Sequence, residues 1–221
     1  MNIIEKRELK DVLKYKDIVV LKYKIQYPQI IKSNYRIGRI RFNEYNKQKA
    51  MELKNRVINE LYKEAKELYE YNIAHGYPIM VFDIMLEYNI TYNKENIISL
   101  YFDQYEFTGG AHGSTIRSSQ NWNMSVGKQI ELSYFYQNNH SYVIDIIKEI
   151  NTQIKEQMQS GTNQYFNNYC ELVLEKIKLE NYYITTDAIV VFFQQYDIAP
   201  YSSGIPVFYL MRKSSKNVYK Q

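Results

Sequence analysis

Six residues, Thr108-Gly109-Gly110-Ala111-His112-Gly113, interrupt a long alternating run, and that interruption constrains the fold more than any other feature of the chain. Glycine reaches positive φ without a Cβ clash and lets a second backbone approach, so this stretch is read as a tight bend between two strands. Upstream, Met80, Phe82, Ile84, Leu86, Tyr88 and Ile90 alternate with Asp83, Glu87, Asn89 and Thr91, the period of two expected of a strand with one wet face. Asn93-Lys94-Glu95-Asn96 supplies a turn, and Ile97 to Phe107 returns as the antiparallel partner before entering the bend. A third strand around Thr115 to Met124 ends at the turn Ser125-Val126-Gly127-Lys128.

The flanking sequence alternates between the two periodicities. Val19, Leu21, Tyr23, Ile25 and Tyr27 mark a half-buried strand that Pro28 ends or bends. Asn43 is placed to cap a helix whose inner face runs through Ala50, Leu53, Val57, Leu61, Ala65, Leu68 and Ile73. Its exit is set by His75 in the last turn, Gly76 as left-handed cap and Pro78 beyond. Val143, Ile146, Ile147, Ile150, Ile154 and Met158 define another amphipathic helix. Ser160-Gly161-Thr162 separates it from one bearing Phe166, Tyr169, Cys170, Val173 and Ile177, which gives an αα-hairpin. Ala188 to Phe193 is apolar on both faces, as a central strand is, and Ile205 to Met211 supplies a last one. Strands and helices come in blocks, so the expected class is α+β: an antiparallel sheet with a long helix and an αα-hairpin packed against it.

A chain of 221 residues buries enough surface to stand without staples. It is read as one compact unit with an N-terminal segment 1–94, holding strand, long helix and strand, and a C-terminal segment 95–221. The single cysteine, Cys170, forms no internal bridge and is expected to be a buried, inert thiol. Lys and Arg number 28 against 24 Asp and Glu, scattered without a basic stripe, which argues against nucleic acid as a partner. The mixed charges between Lys47 and Glu70 read as the solvated face of a helix. No apolar leader and no membrane-spanning run is present in the chain.

Candidate chemistry centres on the glycine bend and a later segment. Gly109, Gly110, His112 and Gly113, with Asp197 and Tyr201, form the candidate binding set. Successive N–H groups of the bend could cradle an anion, but Ser114-Thr115-Ile116 continues as a strand where a phosphate loop would need Lys and Ser or Thr before a helix. A structural turn is the favoured reading, with a ligand-touching loop second. His112 is of the residue type that serves as a general base, and Ser114 and Asp197 are of types that complete a hydrolase triad. A histidine bracing its own loop is preferred, because no Gly-x-Ser-x-Gly elbow exists. No catalytic residue is therefore assigned. His75, His112 and His140 are too scattered to suggest a metal site, and no cofactor motif is present. Asp83 and Glu87 are read as solvated carboxylates on the wet strand face. The 24 tyrosines, against 9 phenylalanines, suit protein or sugar surfaces as well as half-buried sheet edges.

Several short segments carry a family resemblance. They are Tyr27-Pro28-Gln29-Ile30 ahead of the long helix, Tyr88-Asn89-Ile90-Thr91-Tyr92 with Ile98-Ser99-Leu100, and Tyr105-Glu106-Phe107 with the glycine bend. Gly127-Lys128 with Leu132-Ser133, and Tyr196-Asp197-Ile198-Ala199-Pro200-Tyr201 with Gly204, complete the set. Through them the chain, from about Ile25 to Met211, resembles the RsiV-like extracytoplasmic domain family. This is a bacterial pair of domains of unknown function that also precedes the catalytic domain of the PdaC peptidoglycan deacetylase. The resemblance implies a non-catalytic cell-envelope recognition domain. The corresponding region of RsiV senses lysozyme by binding it, so the implied partner is lysozyme, or else a peptidoglycan fragment. The implied location is extracytoplasmic or at the cell surface; the missing leader keeps a cytoplasmic location open, and with it an intracellular interaction scaffold. This chain carries no membrane span, sigma-binding segment or deacetylase domain, so signalling and deacetylation are not carried over, nor is any lysozyme-contact residue.

Overall fold

The computed structural model describes residues 1–136 and 139–211. In chain order these form β1 (Ile3–Tyr15), β2 (Ile18–Lys32), α1 (Arg36–Arg56), a π-helical turn (Val57–Leu61), α2 (Tyr62–His75), β3 (Phe82–Lys94), β4 (Ile97–Phe107), β5 (Ser114–Asn123) and β6 (Lys128–Gln129). There follow α3 (Tyr142–Gln159), α4 (Tyr169–Lys176), β7 (Tyr182–Ile184), β8 (Ala188–Phe192) and β9 (Val207–Met211). The class is α+β, with two sheets among the described residues: β1-β2-β3-β4-β5-β6 and β7-β8-β9.

Within the larger sheet every pairing is antiparallel except β2 with β3. That exception follows from the connection. β2 runs one way, the long helix returns along the sheet, and β3 must then start beside the beginning of β2. β1 was not foreseen. Glu5, Lys6, Arg7, Glu8, Lys10, Asp11 and Lys14 hide its alternation, yet Leu9 and Leu13 rest against the core. A hairpin at Lys16 and Asp17, with φ of 47° and 62°, joins it to β2.

Pro28 does not end β2, which runs on to Lys32. The amide of Asn43 explains this. Its Oδ1 accepts from the Ile30 N–H at 2.8 Å and its Nδ2 donates to the Ile30 carbonyl at 2.9 Å, so residue 30 points both backbone groups away from β1. Two residues earlier, Pro28 has the same orientation, and β3 pairs with β2 only from Leu21 to Ile25. Its missing N–H therefore faces no strand among the described residues. Asn43 is accordingly not a helix cap: α1 begins at Arg36, and Asn43 sits one turn and more inside it.

Ala50, Leu53, Val57, Leu61 and Ala65 form the buried helix face, with Leu68 partly buried, against Val20, Leu21, Ile25, Ile84, Leu100 and Trp122 of the sheet. Phe42 is fully buried and meets Trp122 edge to face at 5.7 Å. Each such side chain contributes about 1.5–3 kcal/mol by burial. Ile73 breaks the expected stripe and is 52% exposed, while Asn72 is buried in its place. Asn72 earns that position at the helix exit, where its amide donates to the Pro78 carbonyl at 3.0 Å and its own carbonyl accepts from Tyr77 N–H at 2.8 Å. Gly76 takes the left-handed cap at φ 69°.

A second core joins Ile146, Ile150 and Ile154 of α3 and Val173 of α4 to Ile184, Ile189, Val191 and Phe208 of the small sheet and to Phe193 just after β8. β8 is its central strand and is buried throughout. α4 is shorter than its sequence pattern, starting at Tyr169, and Cys170 is exposed on it, which corrects the expectation of a buried thiol. Val173 takes the inward position.

The two sheets are riveted by polar groups, and among the described residues β5 keeps a free edge, since β6 pairs with it only at Trp122 and Asn123. Ser99 Oγ donates to Asn121 Oδ1 at 2.7 Å and accepts from the Ile184 N–H at 2.7 Å. Asn121 Nδ2 donates to the Tyr182 carbonyl at 2.8 Å, and Ser119 Oγ to that of Glu180 at 3.1 Å.

Candidate functional site

The same free edge of β5 positions the glycine bend against the segment that follows β8. Gln194 lies along it as a strand would: its Oε1 accepts from Arg117 N–H at 2.9 Å and its Nε2 donates to the Arg117 carbonyl at 2.7 Å. Gln195 Oε1 accepts from Thr115 N–H at 2.8 Å. Beneath them, Arg117 makes two 2.7 Å hydrogen bonds to Asp103 and stacks 4.0 Å over the centroid of the Tyr101 ring.

Asp197 closes the turn that follows. Its Oδ2 accepts from the Gln194 N–H at 2.8 Å, and its own N–H donates to the Gln194 carbonyl at 3.2 Å. Inside that turn Tyr196 is held at φ 67°, a costly conformation for a residue with a Cβ, and the residue is 54% exposed. A 3₁₀ turn, Tyr201–Ser203, ends at Gly204 and brings Tyr201 back onto the bend.

The bend occupies the end of the sheet where β4 meets β5. Gly109 and Gly110 both stand at φ 97°, so neither tolerates a side chain without strain. Gly113 serves close approach instead, because a Cβ there would lie 2.5 Å from the Tyr105 ring. Its carbonyl is the focus of the cluster, lying 2.9 Å from His112 Nδ1 and accepting from Tyr201 Oη at 3.0 Å. A carbonyl only accepts, so the His112 proton sits on Nδ1. Nε2 is then left facing the Tyr196 hydroxyl at 3.5 Å. The imidazole stacks on Tyr201 at 4.2 Å, and Tyr196 lies 5.7 Å from Tyr201.

Of the sequence-derived candidates, His112, Gly113 and Tyr201 thus converge, while Asp197 acts one turn away as the brace for Tyr196. Neither Asp197 nor Ser114 is hydrogen-bonded to His112. Sequence reasoning missed the opposite flank. Gly110 N–H points to Met80 Sδ at 3.4 Å, and Gly109 packs on Leu68, so the bend abuts the exit of α2. There Tyr71, His75 and Tyr77 stack in series at 4.2 and 6.0 Å, with both tyrosines more than half exposed. The surplus of tyrosine was the available signal, but nothing in linear spacing places Leu68 and Met80 beside Gly109 and Gly110. Asp83 and Glu87 pair with Lys22 at 2.9 Å and Lys24 at 3.1 Å on the sheet's polar face.

Among the described residues no group of three or more His, Cys, Asp or Glu side chains could hold a metal ion. No helix among them is long and apolar enough to cross a membrane. A cleft of about 460 Å³ lies at the sheet junction, between Ser119, Asn121, Ile130, Glu131, Leu179 and Glu180, away from the bend.

Fold and site together define a two-sheet α+β domain whose bend-bearing end carries an aromatic and histidine surface. Residues 15–115 match the family model described as deacetylase PdaC, and residues 135–213 match that of a protein of unknown function, DUF3298. The fold is shared with a crystal structure of a DUF3298 family member from Bacteroides fragilis, at a TM-score of 0.74 and 14% identity over 98% of this chain and 92% of that one. A DUF3298 family protein from Pseudomonas aeruginosa is similar at a TM-score of 0.62 and 13% identity, over 96% and 91% of the two chains. No curated protein matches the sequence significantly.

Proposed function

We propose that this chain is a non-catalytic recognition domain of the bacterial cell envelope, which binds a protein, lysozyme being the first candidate, or a cell-wall glycan. The observation that carries the reading is the aromatic end of the molecule. Tyr196 exposes a rigid, amphipathic ring beside the glycine bend, held outward at positive φ by Asp197, and Tyr71 and Tyr77 expose theirs at the exit of α2. Such rings give contact area at little entropic cost, and sugars and protein surfaces both accept them. His112 supports the same reading. Its Nδ1 is committed to a backbone carbonyl, and the hydroxyl nearest its Nε2 is the Tyr196 phenol. Lysozyme enters through the family resemblance set out above.

Titration calorimetry of the full chain against lysozyme and against purified muropeptides tests this. Binding to one of them, weakened at least tenfold in Tyr196→Ala with an unchanged unfolding midpoint, is the expected result. Heat from neither ligand removes the proposed ligand class. Cleavage of either ligand that is lost in His112→Asn would replace the reading by a hydrolase.

A further inference from the structure

We propose that the free edge of β1 pairs antiparallel with β1 of a second copy of this chain, centred on Leu9, and joins two six-stranded sheets into one. The edge is long and open. Among the described residues β1 is the terminal strand of its sheet and pairs only with β2. Which backbone groups face outward follows from Asn43. Ile30 directs both of its groups away from β1 and stands opposite Ile4, so Ile4 likewise points away from β2. The register then runs without a break from Ile4 to Leu13, so Lys6, Glu8, Lys10 and Val12 point outward too. Val12 bears this out, since its N–H is taken by the neighbouring Asp11 Oδ1 at 2.8 Å. At the hairpin tip Tyr62 Oη donates to the Lys14 carbonyl at 2.6 Å, which closes that end of the edge.

Charges on an edge strand ordinarily keep copies apart. Here their order does the opposite. Pairing about Leu9 sets Glu8 against Lys10 of the second copy and Arg7 against its Asp11, and the two-fold axis makes each pair twice. Glu8–Lys10 is a hydrogen-bonded pair of the new ladder, and Asp11 is freed for Arg7 when Val12 N–H turns to the facing strand. The neighbouring registers are repulsive. Centring on Glu8 sets Glu8 on itself and Lys6 against Lys10, and centring on Lys10 sets Lys10 on itself. Pairing of this symmetry puts both long helices on one face. The two β2 strands would be three strand spacings apart, about 14 Å, and packed helices need about 8–10 Å, so the helices clear one another.

Sedimentation equilibrium of the full chain over micromolar to millimolar concentration tests the pairing, with amide exchange at Lys6, Glu8, Lys10 and Val12 read in parallel. A dimer is expected, with those amides slowing as concentration rises. Glu8→Lys should weaken it at least tenfold, through two like-charge contacts, and Glu8→Lys with Lys10→Glu should restore it. Val12→Pro, which removes one outward donor at a position like that of Pro28, should also weaken it while the unfolding midpoint of the monomer is retained. A monomer at all concentrations, or an oligomer indifferent to Glu8→Lys, overturns the proposal.

Discussion

Tyr201 donates its phenolic hydrogen to the carbonyl of Gly113 at 3.0 Å, tying the 3₁₀ turn after β8 to the bend between β4 and β5. The hydroxyl and the ring contribute separately, because the ring also stacks on His112 at 4.2 Å. Tyr201→Phe should therefore cost about 1 kcal/mol, the net worth of one hydrogen bond. Tyr201→Ala should cost about 2 kcal/mol by losing the ring as well. Urea unfolding measures both. Equal losses for the two variants would show that the hydroxyl alone holds the segment.

Gly38 lies inside α1, where replacement by alanine ordinarily stabilises a helix by about 1 kcal/mol. Here the sign should reverse. A Cβ at residue 38 would stand 2.2 Å from the Met124 carbonyl oxygen and 2.7 Å from its Cα, and backbone cannot rotate out of the way as a side chain can. Overpacking of this kind costs about 1–3 kcal/mol. Gly38→Ala should lower the thermal midpoint by several degrees, at about 2–4 °C per kcal/mol for a chain of this size. A raised midpoint would mean that α1 does not lie against the Met124 turn.

How much of this was legible in the sequence depends on how local the cause was. β4 falls on Ile97–Phe107 as its alternation indicated, and β8 on the run that is apolar on both faces. Gly76 ends α2 because its left-handed φ is a property of one residue. The failures share another cause. β1 was hidden because an edge strand carries charge in place of a clean apolar period. Asn43 reads as a cap in the sequence because an asparagine near a helix start has two uses, and only the approach of β2 decides between them. Helical spacing puts Cys170 and Ile73 inside, whereas the partner surfaces accept Val173 and Asn72. At the site, the bend and the 196–204 segment could each be named, but their meeting depends on Gln194 and Gln195 finding the β5 edge. The contribution of Tyr71 and Tyr77 depends on the length of the returning helix.

Arg117 and Asp103 should behave as a coupled pair. Their side chains are 13% and 32% exposed and joined by two 2.7 Å bonds, so removing one partner strands the other in a partly dry setting. Asp103→Asn and Arg117→Met are each expected to cost about 2 kcal/mol, and the double variant clearly less than their sum. A double-mutant cycle by chemical unfolding reads the coupling directly. Additive losses would show that the two residues stabilise the protein independently.

Acid should find the protein at Glu106. Arg56 grips both carboxylate oxygens, at 2.5 and 2.8 Å, and this hydrogen bonding holds Glu106 below its ordinary value of 4.5 against the opposing effect of burial. A carboxyl whose pKa is lowered by folding adds stability above its unfolded pKa, and that stability is lost as pH falls through the lower, folded value. The contribution is therefore complete at neutral pH, begins to fall below about pH 4.5, and is gone once pH lies below the folded value. Because Arg56 is partly exposed, with 39% of its side-chain surface open, the pair is worth about 1 kcal/mol. Glu106→Gln should thus be less stable than the parent at pH 7 by about that amount, and the two unfolding midpoints should converge toward pH 3. Parallel curves over that range would show that the helix is held to β4 by packing and not by this charge.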